Sequence, residues 1–521
     1  MTARRLLKSQ QMTSRIAVCC VAVTMLSVAA CTDTSDTSEA STTEAALAAD
    51  SFSIVVLPDT QYYSSGYPDP ASSNYSWPFD DQVNWIVAHH DDADKKIQLV
   101  IGLGDITDDG GPRPSGEHAC REALETNWAT QWIRADNAIK LLDGANIPYT
   151  MVIGNHDYDC QYEHTGGWPQ SRSTSNFDKW FGPSRYAGKS WFHGGRMNPT
   201  SNANFYNIVE LGGKNYLVLA LEFYPRDSVL AWANTILDDN PDLPVIVAMH
   251  AYLFPDTGAP GSAVRAHHGN PDSAESYHLA PSCAEICTGD HACPKAVTAS
   301  CDNGNNGDDM WTKFVSLHKN IVLVVNGHFQ EPFPTTLDNN GVGYRTEIAP
   351  TGQRIDQIVS DYQGQGAHES FGNGYLRMYT ISPSAGTLKT FTYSPPAAAH
   401  PSRFPLGQPP PATRTDAYNA YTIPFESSTT TVASVTVHEP AQGATVSSPV
   451  TVDASYSGVL GLGHFEAWLD GTKLGNVFPA NGVTTMSTSY SMSAGAHKLT
   501  VLAVDADKNI IKSAPVNLTA R

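Results

Sequence analysis

Tyr149-Thr-Met-Val-Ile153 runs directly into Gly154-Asn155-His156-Asp157. An apolar run of this length, bounded by Pro148 and Gly154, has the character of a strand buried on both faces, as in a parallel sheet under helices. The four residues after it put an amide oxygen, an imidazole and a carboxylate into one turn. The same arrangement recurs on either side. Phe52-Ser-Ile-Val-Val-Leu57 leads to Asp59 and Gln61, and Ile97-Gln-Leu-Val-Ile101 to Gly104-Asp105. Val245-Ile-Val-Ala-Met249 leads to His250, and Ile321-Val-Leu-Val-Val325 to Gly327-His328. Helical stripes fill the gaps: Val83, Ile86 and Val87 in one, and Leu124, Trp128, Trp132, Ile139 and Leu142 in another that stops at Gly144.

Alternating strand and helix predicts an α/β sandwich. In open α/β sheets a ligand lies outside the carboxyl ends of the strands, so all five polar termini are expected at one place. A single Asp or Asn after a strand is ordinarily a helix cap or a turn residue, and a single His there a hydrogen-bonded core residue. Five in series point to a metal centre.

In this order the residues resemble the calcineurin-like metallophosphoesterase family, whose pattern is Asp-x-His, Gly-Asp, Gly-Asn-His-Asp, a lone His and Gly-His-x-His. The resemblance covers about residues 51 to 398. It implies a calcineurin-like α/β sandwich of two mixed sheets flanked by helices, with a centre of two divalent metal ions drawn from Mn, Fe, Zn, Mg or Ca. Asp105 would bridge both ions and Asp59 would bind the first. Asn155, His250 and His328 would bind the second. His156 would be the general acid, held by Asp157.

The chemistry needs these residue types. A phosphate ester repels nucleophiles with its own charge, and two cations neutralise that charge and lower the pKa of a shared water. The resulting bridging hydroxide attacks phosphorus. An imidazole near neutrality supplies the leaving group's proton, and a carboxylate behind the ring fixes its tautomer.

Two positions depart from the family pattern. The chain reads Asp59-Thr60-Gln61 and Gly327-His328-Phe329-Gln330, so both imidazoles expected at the first metal are replaced by amides. Amide oxygens are hard, weak ligands, which moves that site from Zn²⁺ toward Mn²⁺, Mg²⁺ or Ca²⁺ and weakens it. The family's manganese-dependent ADP-ribose pyrophosphatase branch also carries Asp-x-Gln, a resemblance which implies that Gln61 can still bind metal. Gln330 stands either as a ligand or as a hydrogen-bonding neighbour. The chain is read as a phosphoesterase acting on mono- or diesters, with a non-catalytic surface lipoprotein bearing a degenerate metal site as the alternative.

Residues 1–30 have a basic start, an apolar stretch from Ile16 to Ala30 and a small-residue cleavage site. Val28-Ala29-Ala30-Cys31 is similar to a bacterial lipobox, which implies acylation of Cys31 and anchoring in the cell envelope on the periplasmic or extracellular face. Residues 31–50 form a Ser/Thr-rich stalk. Nine cysteines, less Cys19, Cys20 and Cys31, leave six in an oxidising compartment. Cys120 and Cys160 follow two site loops that emerge at the same end of the sheet and are expected to pair. Cys283, Cys287, Cys293 and Cys301 fall in an insert, residues 251–310, that is expected to lie over the site as a lid; disulfides and a small zinc knot both suit their spacing.

Residues 399–431 read as a Pro-rich linker, and residues 432–521 as a small all-β domain resembling an immunoglobulin-like sandwich with Trp468 in its core. That domain is expected to serve as a spacer or for cell-surface or glycan contact. The net charge of −20, from 52 acidic and 32 basic residues, argues against nucleic acid as the main partner.

Overall fold

Phe52–Leu57 is buried at every position and forms the centre of the first sheet. It runs parallel to Ile97–Gly102, which runs parallel to Tyr149–Met151, and antiparallel to Leu376–Ser382. These relations come from a computed structural model, which describes residues 46–66, 76–111, 128–159, 161–162, 168–169, 172–255, 266–268, 304–329, 341–350, 352–363, 372–404, 409–425, 433–458, 461–480, 482–505 and 510–521. The leader, most of the stalk, Cys31, Gln330 and all six cysteines of the expected disulfides lie outside the described residues.

The second sheet places Lys214–Leu221, Val245–Met249, Ile321–Asn326 and Arg354–Ser360 side by side and parallel, with Phe205–Leu211 and Val342–Ile348 antiparallel at the flanks. Period-two alternation in this sheet divides the core. Val218, Ala220, Ile246, Ala248, Leu323 and Val325 face the first sheet. Leu217, Leu219, Val245, Val247 and Val324 face the helices Asp227–Asp239 and Gly307–Lys313 through Leu230, Leu237, Met310 and Trp311. On the first sheet the helices Trp77–His89 and Trp128–Gly144 bury Val83, Ile86, Trp132 and Ile139. The layers are therefore helix, sheet, sheet, helix, as expected for a calcineurin-like fold.

The segment read as an extended linker is not one throughout. Pro395–Ala399 is a short helix capped by Ser394, and Thr413–Arg414 and Thr422–Pro424 pair with Thr387–Tyr393 at the edge of the first sheet. Proline stiffens this segment without preventing it from packing at an edge, where a missing N–H leaves no ladder bond unmade. The far end of the lid range is likewise framework, because the helix Gly307–Lys313 seats Met310 and Trp311 in the core.

Residues 433–521 are all β. Two packed sheets enclose Val452, Phe465, Val501 and Leu518. Trp468 is not in that core. It sits half-exposed on the outer face, its Nε1 donating to Glu466 Oε2 at 3.0 Å, while Phe465 and Ala467 point inward. The strand alternates from Phe465, and residue 468 falls on the opposite face from residues 465 and 467 across an irregularity in register. This region is continuous with the second sheet, since Ile510 and Ile511 lie opposite Glu347 and Ile348.

Candidate metal centre

The carboxyl ends of five strands converge as the sequence predicts. The turns that carry the side chains are tight. Asp59 and Asp105 each have φ 46° and His328 has φ 71°, three non-glycine residues in the left-handed region, a conformation costing about 1–3 kcal/mol each when the surroundings impose it. Backbone hydrogen bonds impose it here: His328 N donates to Asp59 Oδ2 at 3.1 Å, and His156 N donates to Asp105 Oδ1 at 2.9 Å. Glycine is required beside them. A Cβ on Gly154 would fall on Asp105, and one on Gly327 on Asp59 Oδ2.

His250 is fully buried and its Nδ1 lies 2.7 Å from the carbonyl oxygen of Leu103. A carbonyl only accepts, so Nδ1 carries the hydrogen and Nε2 presents its lone pair. That lone pair faces Asn155 Oδ1 at 3.0 Å, His328 Nδ1 at 3.0 Å and Asp105 Oδ1 at 3.2 Å. Ligand atoms of Asp105, His250 and His328 all lie within 4.8 Å of one another. Four electron-rich atoms around one space are the donor set of a divalent cation, and the residues present fit one.

The electrostatics agree. Burial alone would lower the His250 imidazole, but Asp105, its hydrogen bond and the Leu103 carbonyl raise it. Burial and the neighbouring His250 hold His328 well below the usual imidazole range. Burial pushes Asp105 up, and the positive charges of His250 and His156 outweigh it and hold this carboxyl below the usual range. Asp59, nearly inaccessible, is pushed well above that range by burial and by the charges of Asp361 and Asp105. Gln61 is 1 % exposed, and its Oε1 is a buried acceptor with no hydrogen-bond donor among the described residues.

His156 reaches the rim of this cluster with its side chain partly open to solvent. Its Nδ1 lies 2.9 Å from Asp108 O and 3.4 Å from Asp108 Oδ1. Asp157, expected behind the ring, is not there. Its Oδ1 accepts from Thr107 N at 2.9 Å and its Oδ2 from Gly154 N at 2.8 Å. Adjacent residues of a 3₁₀ turn point in different directions, so Asp157 fastens the two loops while Asp108 orients the imidazole. Burial would lower His156, but Asp105 and the hydrogen bond and charge of Asp108 raise it to about 10. Asp108 is itself placed by the helix Trp128–Gly144, whose Gln131 Oε1 accepts from Asp108 N at 2.8 Å.

Two acids at the site were not singled out from sequence. Asp108 follows Gly104-Asp105 in a loop without periodicity. Asp361 closes the strand Arg354–Ser360, whose alternating polar residues read as framework; a sixth strand ending on an acid was the available signal.

A family model for calcineurin-like phosphoesterases matches residues 52–329, more than half of the chain. The chain belongs to that family. A curated relative, an uncharacterized protein named YvnB from Bacillus subtilis (strain 168), is 26% identical over 350 residues, covering 67% of this chain and 20% of the relative. The chain thus spans about a fifth of that relative's length. Among solved structures, purple acid phosphatase PPD1 from yellow lupin (Lupinus luteus) aligns at 14% identity with TM-score 0.33, over 72% of this chain and 54% of that one. Fibronectin(III)-like modules of Clostridium thermocellum CbhA align at 19% identity with TM-score 0.15, over 16% of this chain and 93% of those modules.

Proposed function

We propose that the chain is an exported, lipid-anchored phosphoesterase of the bacterial cell envelope that uses two divalent cations to hydrolyse phosphate mono- or diesters. The observation that carries the reading is the lone pair of His250 Nε2 facing Asp105, Asn155 and His328 within 3.2 Å. Asp105, Asn155, His250 and His328 would hold one cation, and Asp59, Gln61 and Asp105 the other. Cations bound there neutralise the ester oxygens and lower the pKa of the attacking water.

The chain's own residues do the rest. His156, whose protonated form Asp105 and Asp108 favour, would donate its proton to the departing ester oxygen. Asp108 fixes the ring so that Nδ1 stays engaged and Nε2 is free to face the ester. Asp157 holds the loops of Asp105 and Asn155 in register through Thr107 and Gly154. The shortage of basic residues supports small or lipid-linked phosphoesters over nucleic acid. Among the described residues no helix is long and apolar enough to cross a membrane, so attachment in this reading rests on Cys31. The all-β region would act as a spacer or a contact for the cell surface.

The test is hydrolysis of bis-nitrophenyl phosphate by the full-length protein after chelation, with Mn²⁺, Mg²⁺, Ca²⁺ and Zn²⁺ restored in turn. Activity should return with Mn²⁺ or Mg²⁺. No turnover with any of the four metals, on this ester or on a nitrophenyl monoester, would overturn the proposal.

A further inference from the structure

The first cation site lacks both imidazoles that its family places there, yet it is not short of ligands. Asp361 directly follows the strand Arg354–Ser360, which pairs in parallel with Ile321–Asn326 so that Val359 lies opposite Asn326. The next residues on the two strands are Ser360-Asp361 and Gly327-His328, at the same end of the same sheet. Asp361 is therefore delivered to the site by the same rule that delivers His328.

Its environment suits a metal ligand. The residue is 0 % exposed. Its backbone N donates to Gly341 O at 2.6 Å and its Oδ1 accepts from Gln363 N at 2.7 Å, which together fix the carboxyl group. Its Oδ2 is buried with no hydrogen-bond partner among the described residues. Gln61 Oε1 is in the same condition. Both atoms only accept when the carboxyl is ionised, so neither satisfies the other, and an acceptor left buried without a donor or a cation is costly. His328, which this register sets opposite Asp361, donates its N to Asp59 Oδ2 at 3.1 Å, so the strand end brings Asp361 to the Asp59 side of the centre.

We propose that Asp361 is a ligand of the first cation site, completing with Asp59, Gln61 and Asp105 an all-oxygen set in place of the missing imidazoles. The inference rests on the two-cation reading above and goes beyond it by naming a residue outside the family's pattern. Three carboxylates and an amide suit a hard cation such as Mn²⁺, Mg²⁺ or Ca²⁺ and disfavour Zn²⁺. The added negative charge offsets the weakness of the amide donor.

The test is Mn²⁺ binding to the chelator-stripped full-length protein, read by electron paramagnetic resonance of the free ion, for the wild type, Asp361→Asn and Asp361→Ala. The wild type should bind two ions with unequal affinity. Both variants should keep the tighter ion and bind the weaker one at least tenfold less well. Metal-free Asp361→Asn should melt no lower than metal-free wild type, because a buried carboxylate is replaced by a neutral amide, while its gain in Tm on adding Mn²⁺ should shrink. Two ions bound by both variants with wild-type affinity would overturn the role of Asp361 and leave the two-cation centre standing. A variant that loses stability without metal and keeps both affinities would make the residue structural, which also overturns it. Wild-type protein that binds no Mn²⁺ would overturn both readings.

Discussion

His328 Nδ1 lies 3.0 Å from His250 Nε2. Because the Leu103 carbonyl takes the Nδ1 hydrogen of His250, the two facing nitrogens can hold at most one proton between them. Against burial, Asp105 and the Leu103 carbonyl raise His250, while burial and the neighbouring His250 lower His328, so the proton is favoured on His250. A divalent cation held here would take the place of the shared proton and accept both lone pairs.

Occupancy of the two cation sites should be unequal. The site that keeps His250 and His328 should hold about one ion through dialysis, while the oxygen-rich site empties and refills at millimolar Mn²⁺ or Mg²⁺ with a rise in activity. Gln61→His adds an imidazole to the weak site and should tighten it and turn its preference toward Zn²⁺. Metal analysis after dialysis checks both; two equally tight zinc ions in the wild type would contradict the assignment.

His156 should matter in proportion to how badly the leaving group needs a proton. His156→Ala should slow alkyl phosphoesters by roughly 10²-fold, the range of general acid catalysis, and nitrophenyl esters much less. Asp108→Asn should give a smaller loss with the same selectivity, because it removes the carboxylate charge that favours the protonated ring and keeps the backbone contact to Nδ1. Steady-state rates on a series of leaving groups decide the matter, and equal losses across the series would remove His156 from this role.

Away from the centre, Glu347 governs acid stability. Fully buried, it would be raised by burial, but Arg345 and His268 lower it from 4.5 to about 2. Its folded-state pKa lies below the unfolded one, so its contribution is present above about pH 4.5 and is lost as pH falls through about 2. The shift corresponds to about 3 kcal/mol. Glu347→Gln should flatten the decline in the urea midpoint over that window, and at neutral pH should destabilise the protein by about 3–5 kcal/mol, since Arg345, 2.8 Å away, loses its carboxylate. Urea titrations at a series of pH values measure both effects.

Attachment should depend on one sulfur atom. Cys31→Ala removes the thiol that acylation requires and should abolish lipid labelling and release the protein from membranes. Fractionation with the protein still membrane-bound would refute the anchor.

The five strands and their terminal residues were legible because a strand buried on both faces leaves a long apolar run, and because parallel strands gather their carboxyl ends at one place. Asp361 was obscured by the polar residues of its own strand. Those residues are buried in pairs: Arg354 donates to Asp356 Oδ1 at 3.0 Å, and Gln357 Nε2 donates to Glu347 Oε2 at 3.1 Å. Such pairing cannot be read from one strand alone. The roles of Asp157 and Asp108 were hidden for a different reason. Which carboxylate stands behind His156 depends on the direction of a single 3₁₀ turn, and composition carries no record of that. The exposure of Trp468 follows from alternation along its strand, which puts it with Glu466 on the face opposite Phe465 and Ala467.

The pairing of Ile510 and Ile511 with Glu347 and Ile348 has a meaning beyond architecture. A strand at the margin of a sheet offers unpaired amides to any passing chain, and Val342–Ile348 would be such a margin for the hydrolase. The all-β region occupies part of it, packs Ile348 against its own core and brings the charge of Lys512 to Glu347. It serves as a selvedge, the finished border that keeps a fabric from unravelling or catching on its neighbour. Cutting the chain before residue 433 would therefore yield not a smaller soluble hydrolase but one that adheres to its own copies.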